Sequence, residues 1–410
     1  MDVMLNCPSG CETIHHRLKC GTNVFILPKD RNIKVGAVSV GFGSADREFY
    51  FDGKSCVIPP GTAHFLEHEM FNRPDGDISE KFAELGAEVN AFTDTEKTVY
   101  YFKTAGNFSE CFRLLLNFVE STAFGDTGKE REIIKREIDM YSDSCERKAY
   151  FGALDELYPS SPLACEIAGT NESVENINTE ILELCHRAFY VPENMTVICS
   201  GNVTADEIMT ETEKIFFGRE RKTAAKYKIS AKCAGGKRID NGNTTADVFC
   251  VVYPAAAVFS KNKDSLLLKI ISEAAFGEGS KLFERLTKEK VMFEVPSVDI
   301  VTHSGQEHIA ISGRANNAET AMDIIDEELS AFKNGGMDQR KFERERKRLF
   351  GTFVRISDDC WQAVNMQAAC KGEGLAEMAE NIRQLDLPGC LKKLDSIGSK
   401  NGRCVVKPGK

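Results

Sequence analysis

The segment Gly61-Thr62-Ala63-His64-Phe65-Leu66-Glu67-His68-Glu69-Met70-Phe71 constrains this chain more than any other, because it contains H-x-x-E-H. His64 and His68 are four residues apart, so on a helix they project from one face, a turn apart. Glu67 shares that face. Two imidazoles and a carboxylate converging this way can bind Zn²⁺ and activate its water. The chain has seven histidines, and two of them are here. Taken alone, the pattern also fits a helix carrying two ordinary surface histidines.

At 410 residues the chain is long enough for two or more domains, each with its own core. No apolar run approaches the ~18 residues of a membrane-spanning helix, so no membrane span is expected. Met1-Asp2-Val3-Met4-Leu5-Asn6-Cys7 lacks a basic stretch followed by an apolar core, so no secretion signal is expected either. The fifteen cysteines are scattered without a C-x-x-C pair. Free thiols in a reducing cytoplasm are the simplest account of them. Cys7 and Cys11 are the one close pair, too little to predict a second metal site. The net charge of −10 argues against nucleic acid as the main partner and is compatible with basic peptides.

Residues 13–52 read as strands, with residues 24–28 and 35–40 the clearest. Gly41-Phe42-Gly43-Ser44 reads as a strand end, since no phosphate-cradling helix pattern follows it. Pro59, Pro60 and Gly61 punctuate the approach to the H-x-x-E-H helix, and Thr62 is the expected N-cap. Residues 78–85 predict a short helix ended by Gly86 in the left-handed conformation. Val89, Ala91 and Thr93 then alternate with Asn90 and Phe92 as in a strand. Residues 108–119 and 127–141 predict helices. In the second, Ile133, Ile134, Ile138 and Tyr141 form an apolar stripe. Glu130 and Glu137 lie two turns apart on one face, which on its own fits a solvated helix surface. Residues 147–170 are mixed. A helix over 179–189 capped by Asn178, a strand over 196–202 and a helix over 205–216 follow. His186 reads as a packing or capping residue.

Residues 219–238 are rich in Lys and Arg, with Gly235-Gly236 near the end, and read as a linker between domains at 1–218 and 239–410. A nucleic-acid patch would carry more aromatics than Tyr227. The second half predicts strands over 246–253, 297–303 and 308–313, and helices over 265–275, 281–288, 318–332 and 337–356. The charge run of residues 340–348 fits a solvated face. This half has no H-x-x-E-H, and His303 and His308 read as non-catalytic. The fold class is therefore α+β, with two units of similar size.

Three segments together resemble the pitrilysin/insulinase family of zinc metallopeptidases, in its bacterial and mitochondrial-processing-type members of about this length. Members are inverzincins, the zincin motif in reverse order. Residues 64–71 resemble the family's metal helix. Residues 86–93, followed by Thr98-Val99-Tyr100-Tyr101, resemble its substrate-binding edge strand. Residues 130–138 resemble its second metal helix. The resemblance implies two homologous domains, each a mainly antiparallel sheet packed with helices, enclosing a peptide chamber. It implies one Zn²⁺ per chain, held by His64, His68 and Glu137, with the fourth position open to water. It makes Glu67 the general base and Glu130 a supporting carboxylate that orients a ligand or water. It makes Asn90, Ala91, Phe92 and Thr93 the residues that pair with an extended peptide.

One departure stands out. Self-sufficient members carry an Arg and a Tyr seven apart in a stretch of the type L-R-x-x-x-x-x-G-Y. Here the corresponding residues 282–294 have Arg285 and Phe293 near the expected places but no such pair. That pair helps to stabilise the developing oxyanion. The expected function is therefore a zinc metalloendopeptidase acting on unstructured peptides, in peptide processing or in leader-peptide or bacteriocin maturation. It is expected to be the metal-bearing subunit of a heterodimer with a homologous non-zinc subunit. A homodimer using other donors, such as Arg285, is the alternative arrangement. A non-catalytic peptide-binding or scaffold subunit, and a metallohydrolase of another reaction class, are the competing functions.

Overall fold

A computed structural model describes residues 3–5, 12–218, 223–227, 229, 231–303, 306–370 and 372–409. Cys7 and Cys11 lie outside the described residues. The chain divides into two compact α+β units. The first is made of Met1–Ile138, Glu166–Tyr227 and Thr352–Glu380, and the second of Asp139–Cys165, Lys228–Gly351 and Asn381–Lys410. Each unit thus contains a segment from the other half of the sequence.

The first unit is built on a seven-stranded sheet. Its order is Val3–Leu5, Thr13–Arg17, Asn23–Pro28, Met195–Gly201, Lys34–Val40, Thr98–Thr104 and Ala87–Thr93. Met195–Gly201 runs parallel to Asn23–Pro28, and the remaining pairs are antiparallel. The inner strands are buried along almost their whole length, which explains their near-continuous apolar sequence. Val38, Tyr100 and Val197 face the main core with helices Thr62–Phe71 and Phe108–Glu120. Alternation sends Ala37, Tyr101 and Ile198 to the other face, and these too are buried. Helix Cys360–Ala369 lies on that face, with Trp361 stacked on Tyr101 at a centroid distance of 3.7 Å.

The second unit has a five-stranded sheet in the order Gly236–Gly242, Gly402–Pro408, Asp247–Ala256, Gln306–Ala315 and Ser297–His303. Its first pair is parallel and the others antiparallel. Val248, Cys250, Val252, Cys404 and Val406 pack against helix Cys145–Leu157. Among the described residues, no helix of either unit is long and apolar enough to cross a membrane.

Helix Cys145–Leu157 falls where the sequence reads as mixed. Gly152 interrupts its pattern, yet glycine is what the packing requires. A Cβ at Gly152 would lie 2.7 Å from the Cys404 sulfur. Within residues 219–238, two described stretches join sheets. Ala225 and Lys226 pair with Tyr50 and Phe49, and Gly236 begins the outer strand of the second sheet. Two local expectations need correction. Thr62 is not the N-cap of its helix. Gly61 is, at φ 86°, and the Thr62 hydroxyl donates to the Pro59 carbonyl at 2.7 Å. Ile133 is not part of a buried stripe. Ile134 is fully buried and Ile138 packs on the core, while Ile133, a hundred degrees away round the helix from Ile134, is exposed. Asn178 does cap its helix, accepting from the Ile181 amide, and Gly86 sits at φ 73° after helix Ile78–Glu84.

Candidate metal and substrate site

The H-x-x-E-H sequence lies on helix Thr62–Phe71. The bend into it needs glycine, since a Cβ at Gly61 would meet the Ala168 carbonyl oxygen at 2.4 Å. The helix is buried on nearly every side. Phe65, Leu66 and Met70 join the core, while His64, Glu67 and Glu69 are buried polar groups. Burying ionisable groups is costly unless partners are supplied.

Helix Thr127–Ser142 supplies them. Ile134 anchors it to the core, and Arg131 donates to the Val174 and Ile177 carbonyls at 3.3 and 2.7 Å. These contacts set the rotation that turns Glu130 and Glu137 toward the histidines. His64 Nε2 is 3.6 Å from Glu137 Oε1, and His68 Nε2 is 3.2 Å from Glu137 Oε2. Among the described residues, His64, His68 and Glu137 are the one group whose ligand atoms gather closely enough for a metal, all within 4.8 Å of one another. Metal–ligand bonds of 2.0–2.2 Å in a tetrahedron place ligand atoms about 3.3–3.6 Å apart. The observed spacings bracket that range, and two imidazoles with one carboxylate suit Zn²⁺.

Glu130 completes the arrangement from the other side of the ring. Its Oε2 is 3.5 Å from His68 Nδ1. Burial disfavours a charged His68, but the hydrogen bonds its ring donates to Glu130 and Glu137 and the Glu67 charge outweigh it and raise its pKa to about 9. A metal must displace that proton to bind. Glu67 is raised above the usual carboxylate range by burial, against the opposing pull of His64, Thr93 and His68.

Asn90, Ala91, Phe92 and Thr93 lie on strand Ala87–Thr93, at the edge of the sheet. The Asp94 amide donates to the Lys97 carbonyl across the turn. Alternation from that bonded pair makes Phe92 with Val99 and Asn90 with Tyr101 the next bonded pairs. The N–H and C=O groups of Val89, Ala91 and Thr93 therefore face the open edge. The Ala91 amide donates to the side-chain oxygen of Asn90 at 2.7 Å. The Thr93 hydroxyl, read from the sequence as part of the substrate strand, donates to Glu67 Oε2 at 2.5 Å. Beside this strand and both helices is a cleft of about 970 Å³, lined by Glu67, His68, Phe71, Asn90, Phe124 and Glu130 among others.

Sequence reasoning missed Glu69. Its side chain is fully buried next to Asn72, and burial together with the negative charge of Glu130 raises its pKa to about 7. Its position on the face opposite the motif gave no signal. In the second unit, Arg285 is committed to Glu289, Glu327 and Glu328 at 2.8, 2.7 and 3.1 Å. These carboxylates hold its pKa above the usual range. Phe293 is exposed.

Residues 58–171 match the sequence profile of the insulinase family, peptidase family M16, and residues 176–349 match that of the peptidase M16 inactive domain. The chain is 30% identical to the uncharacterized zinc protease YmfH of Bacillus subtilis (strain 168), over 84% of each chain. It is 27% identical to the uncharacterized zinc protease ML0855 of Mycobacterium leprae, over 81% of this chain and 76% of that one. In structure it is similar to an M16-like peptidase from Alicyclobacillus acidocaldarius, with a TM-score of 0.91 and 27% identity over 99% of this chain and 100% of the other.

Proposed function

The chain belongs to the insulinase family of zinc peptidases, peptidase family M16, and from that premise we propose that it is an endopeptidase for extended, unstructured peptides, working as the metal-bearing subunit of a two-chain enzyme. One observation carries the reading. Glu67, beside the metal-ligand cluster, is hydrogen-bonded to Thr93 of an open sheet edge, so the hydrolytic group and a peptide seat are a single construction.

His64, His68 and Glu137 would hold one zinc per chain. When bound, the ion supplies a positive charge that polarises the attacking water and the scissile carbonyl. The outward N–H and C=O groups of Val89, Ala91 and Thr93 pair with the substrate backbone, which favours extended chains over particular sequences. The Asn90 amide gives up the Ala91 N–H as the peptide arrives. Glu67 takes the proton of the attacking water and returns it to the leaving amine. Glu130 keeps the His68 ring in orientation through Nδ1.

The need for a second chain rests on the absence of the Arg–Tyr pair and on Arg285 being held by three carboxylates. The partner would be a homologous chain without H-x-x-E-H. Peptide processing, including leader-peptide or bacteriocin maturation, is the proposed role. The free thiols among the described cysteines fit a reducing compartment, so the proposed location is the cytoplasm.

The test is cleavage of a disordered peptide of a few tens of residues beside a native globular domain, with Glu67→Gln as control. The disordered peptide should be cut, the native domain spared, and the variant inert. A native domain cut as fast as its denatured form would defeat the reading.

A further inference from the structure

Building on the peptidase reading, we propose that Thr93 is a positioning residue for Glu67, fixing through its side-chain hydroxyl which carboxylate oxygen serves as base while its backbone belongs to the peptide seat. The geometry separates the two tasks. Thr93 and Thr98 form a non-hydrogen-bonded pair of the edge hairpin, so the Thr93 backbone faces outward. Its hydroxyl turns the other way and donates to Glu67 Oε2 at 2.5 Å. The Thr93 hydroxyl is the donor, and a carboxylate serving as base can only accept. The bond anchors Oε2 and leaves Oε1 without this partner, as the oxygen assigned to take the proton from water.

The hydroxyl is backed by one other hydroxyl, that of Thr98. Thr98 Oγ1 lies 3.1 Å from Thr93 Oγ1 and 3.0 Å from the Phe42 carbonyl oxygen; with the Thr93 proton on Glu67, the Thr98 proton is the one that can join the two threonines. The Tyr190 and Tyr100 hydroxyls are 2.7 Å apart. Thr98, Tyr100 and Tyr190 are all buried. Burial keeps both phenols well above their usual range, so both remain protonated. The Thr98 side chain is fully buried, so the Thr93 hydroxyl rests against a fixed partner.

A β-branched residue at position 93 is compatible with the strand whether or not it bears a hydroxyl. Thr93→Val therefore isolates the bond, and Thr93→Ser restores it. Thr93→Val should lower kcat on a disordered peptide by about 10- to 100-fold, with KM within about twofold of wild type. Its zinc content should remain one per chain, and Thr93→Ser should recover most of the loss. Wild-type kcat in Thr93→Val would overturn the proposal. A loss that followed zinc content or KM would overturn it too, by making the role structural or substrate-binding.

A second measurement needs no turnover. In the metal-free chain, Thr93→Val and Glu67→Ala should be non-additive in thermal unfolding, since each removes the same bond. Additivity would overturn the proposal. A wild-type chain that cleaves no more than Glu67→Gln, alone and with its homologous partner chain, would defeat the peptidase reading, while the unfolding cycle still decides whether Thr93 holds Glu67.

Discussion

His68 Nε2 lies 3.2 Å from Glu137 Oε2, a contact between two helices that are far apart in sequence. It joins two of the three proposed zinc ligands before any ion is considered. Removing zinc by chelation should abolish turnover, and readdition should restore it. Glu137→Gln keeps the shape but loses the negative ligand, so it should bind zinc far more weakly. Metal analysis after dialysis checks this. Full zinc occupancy in Glu137→Gln would remove Glu137 from the ligand set.

Glu130 touches His68 from the opposite side, at Nδ1. Glu130→Gln should weaken zinc binding by about 10- to 100-fold, the usual effect of losing a carboxylate behind a metal-bound histidine. Competition against a chromophoric chelator measures it. Unchanged affinity would assign Glu130 to the cleft alone.

The peptide seat can be tested through one backbone proton. Ala91→Pro removes an N–H that faces the open edge, where proline is tolerated in a sheet. KM for a disordered peptide should rise by about tenfold, the equivalent of roughly 1.4 kcal/mol. Zinc content should be unchanged. A KM equal to wild type would move the substrate to another surface.

The His308 side chain is fully buried in the second unit, and neither ring nitrogen has a hydrogen-bond partner among the described residues. Burial, with His303 nearby, lowers its pKa to about 4. Because the unfolded chain binds that proton near pH 6.5, the unfolded state holds more protons between the two values. Stability from a neutral His308 is thus full above pH 6.5 and is lost as pH falls toward 4. At pH 5 the loss is about 2 kcal/mol. His308→Leu should show a smaller drop between pH 7 and pH 5 in urea unfolding. An unchanged drop would mean that other groups govern the acid sensitivity.

If a partner supplies the oxyanion donors, the isolated chain should be slow. Adding a homologous chain that bears an Arg and a Tyr seven apart in its second half should raise kcat by about 100-fold or more. Steady-state assays with and without that chain decide the point. Full activity alone, unaffected by the addition, would show that the missing pair does not matter.

His64, Glu67 and His68 were legible because their relationship lies within one helix, where spacing alone dictates a shared face. Glu137 was legible through resemblance to a family, since nothing in residues 127–142 distinguishes a ligand from a solvated carboxylate. The hydroxyl bond of Thr93 to Glu67 was not legible, because alternation tells which face a strand residue takes and not which helix residue waits there. Residues 360–408 went unread for a related reason. Gly402–Pro408 is an inner strand whose partners, Gly236–Gly242 and Asp247–Ala256, lie more than a hundred residues earlier, and its short mixed sequence carries no trace of them.

The exchange of segments between the units has a consequence for synthesis on the ribosome. The sheet of the first unit is assembled from residues before Gly201, but the face bearing Tyr101 is covered by the helix that carries Trp361. A nascent chain therefore exposes that apolar face until helix Cys360–Ala369 has emerged. The catalytic unit cannot mature as an early, independent piece, and its final burial waits on a helix made long after the last strand of its sheet, Met195–Gly201.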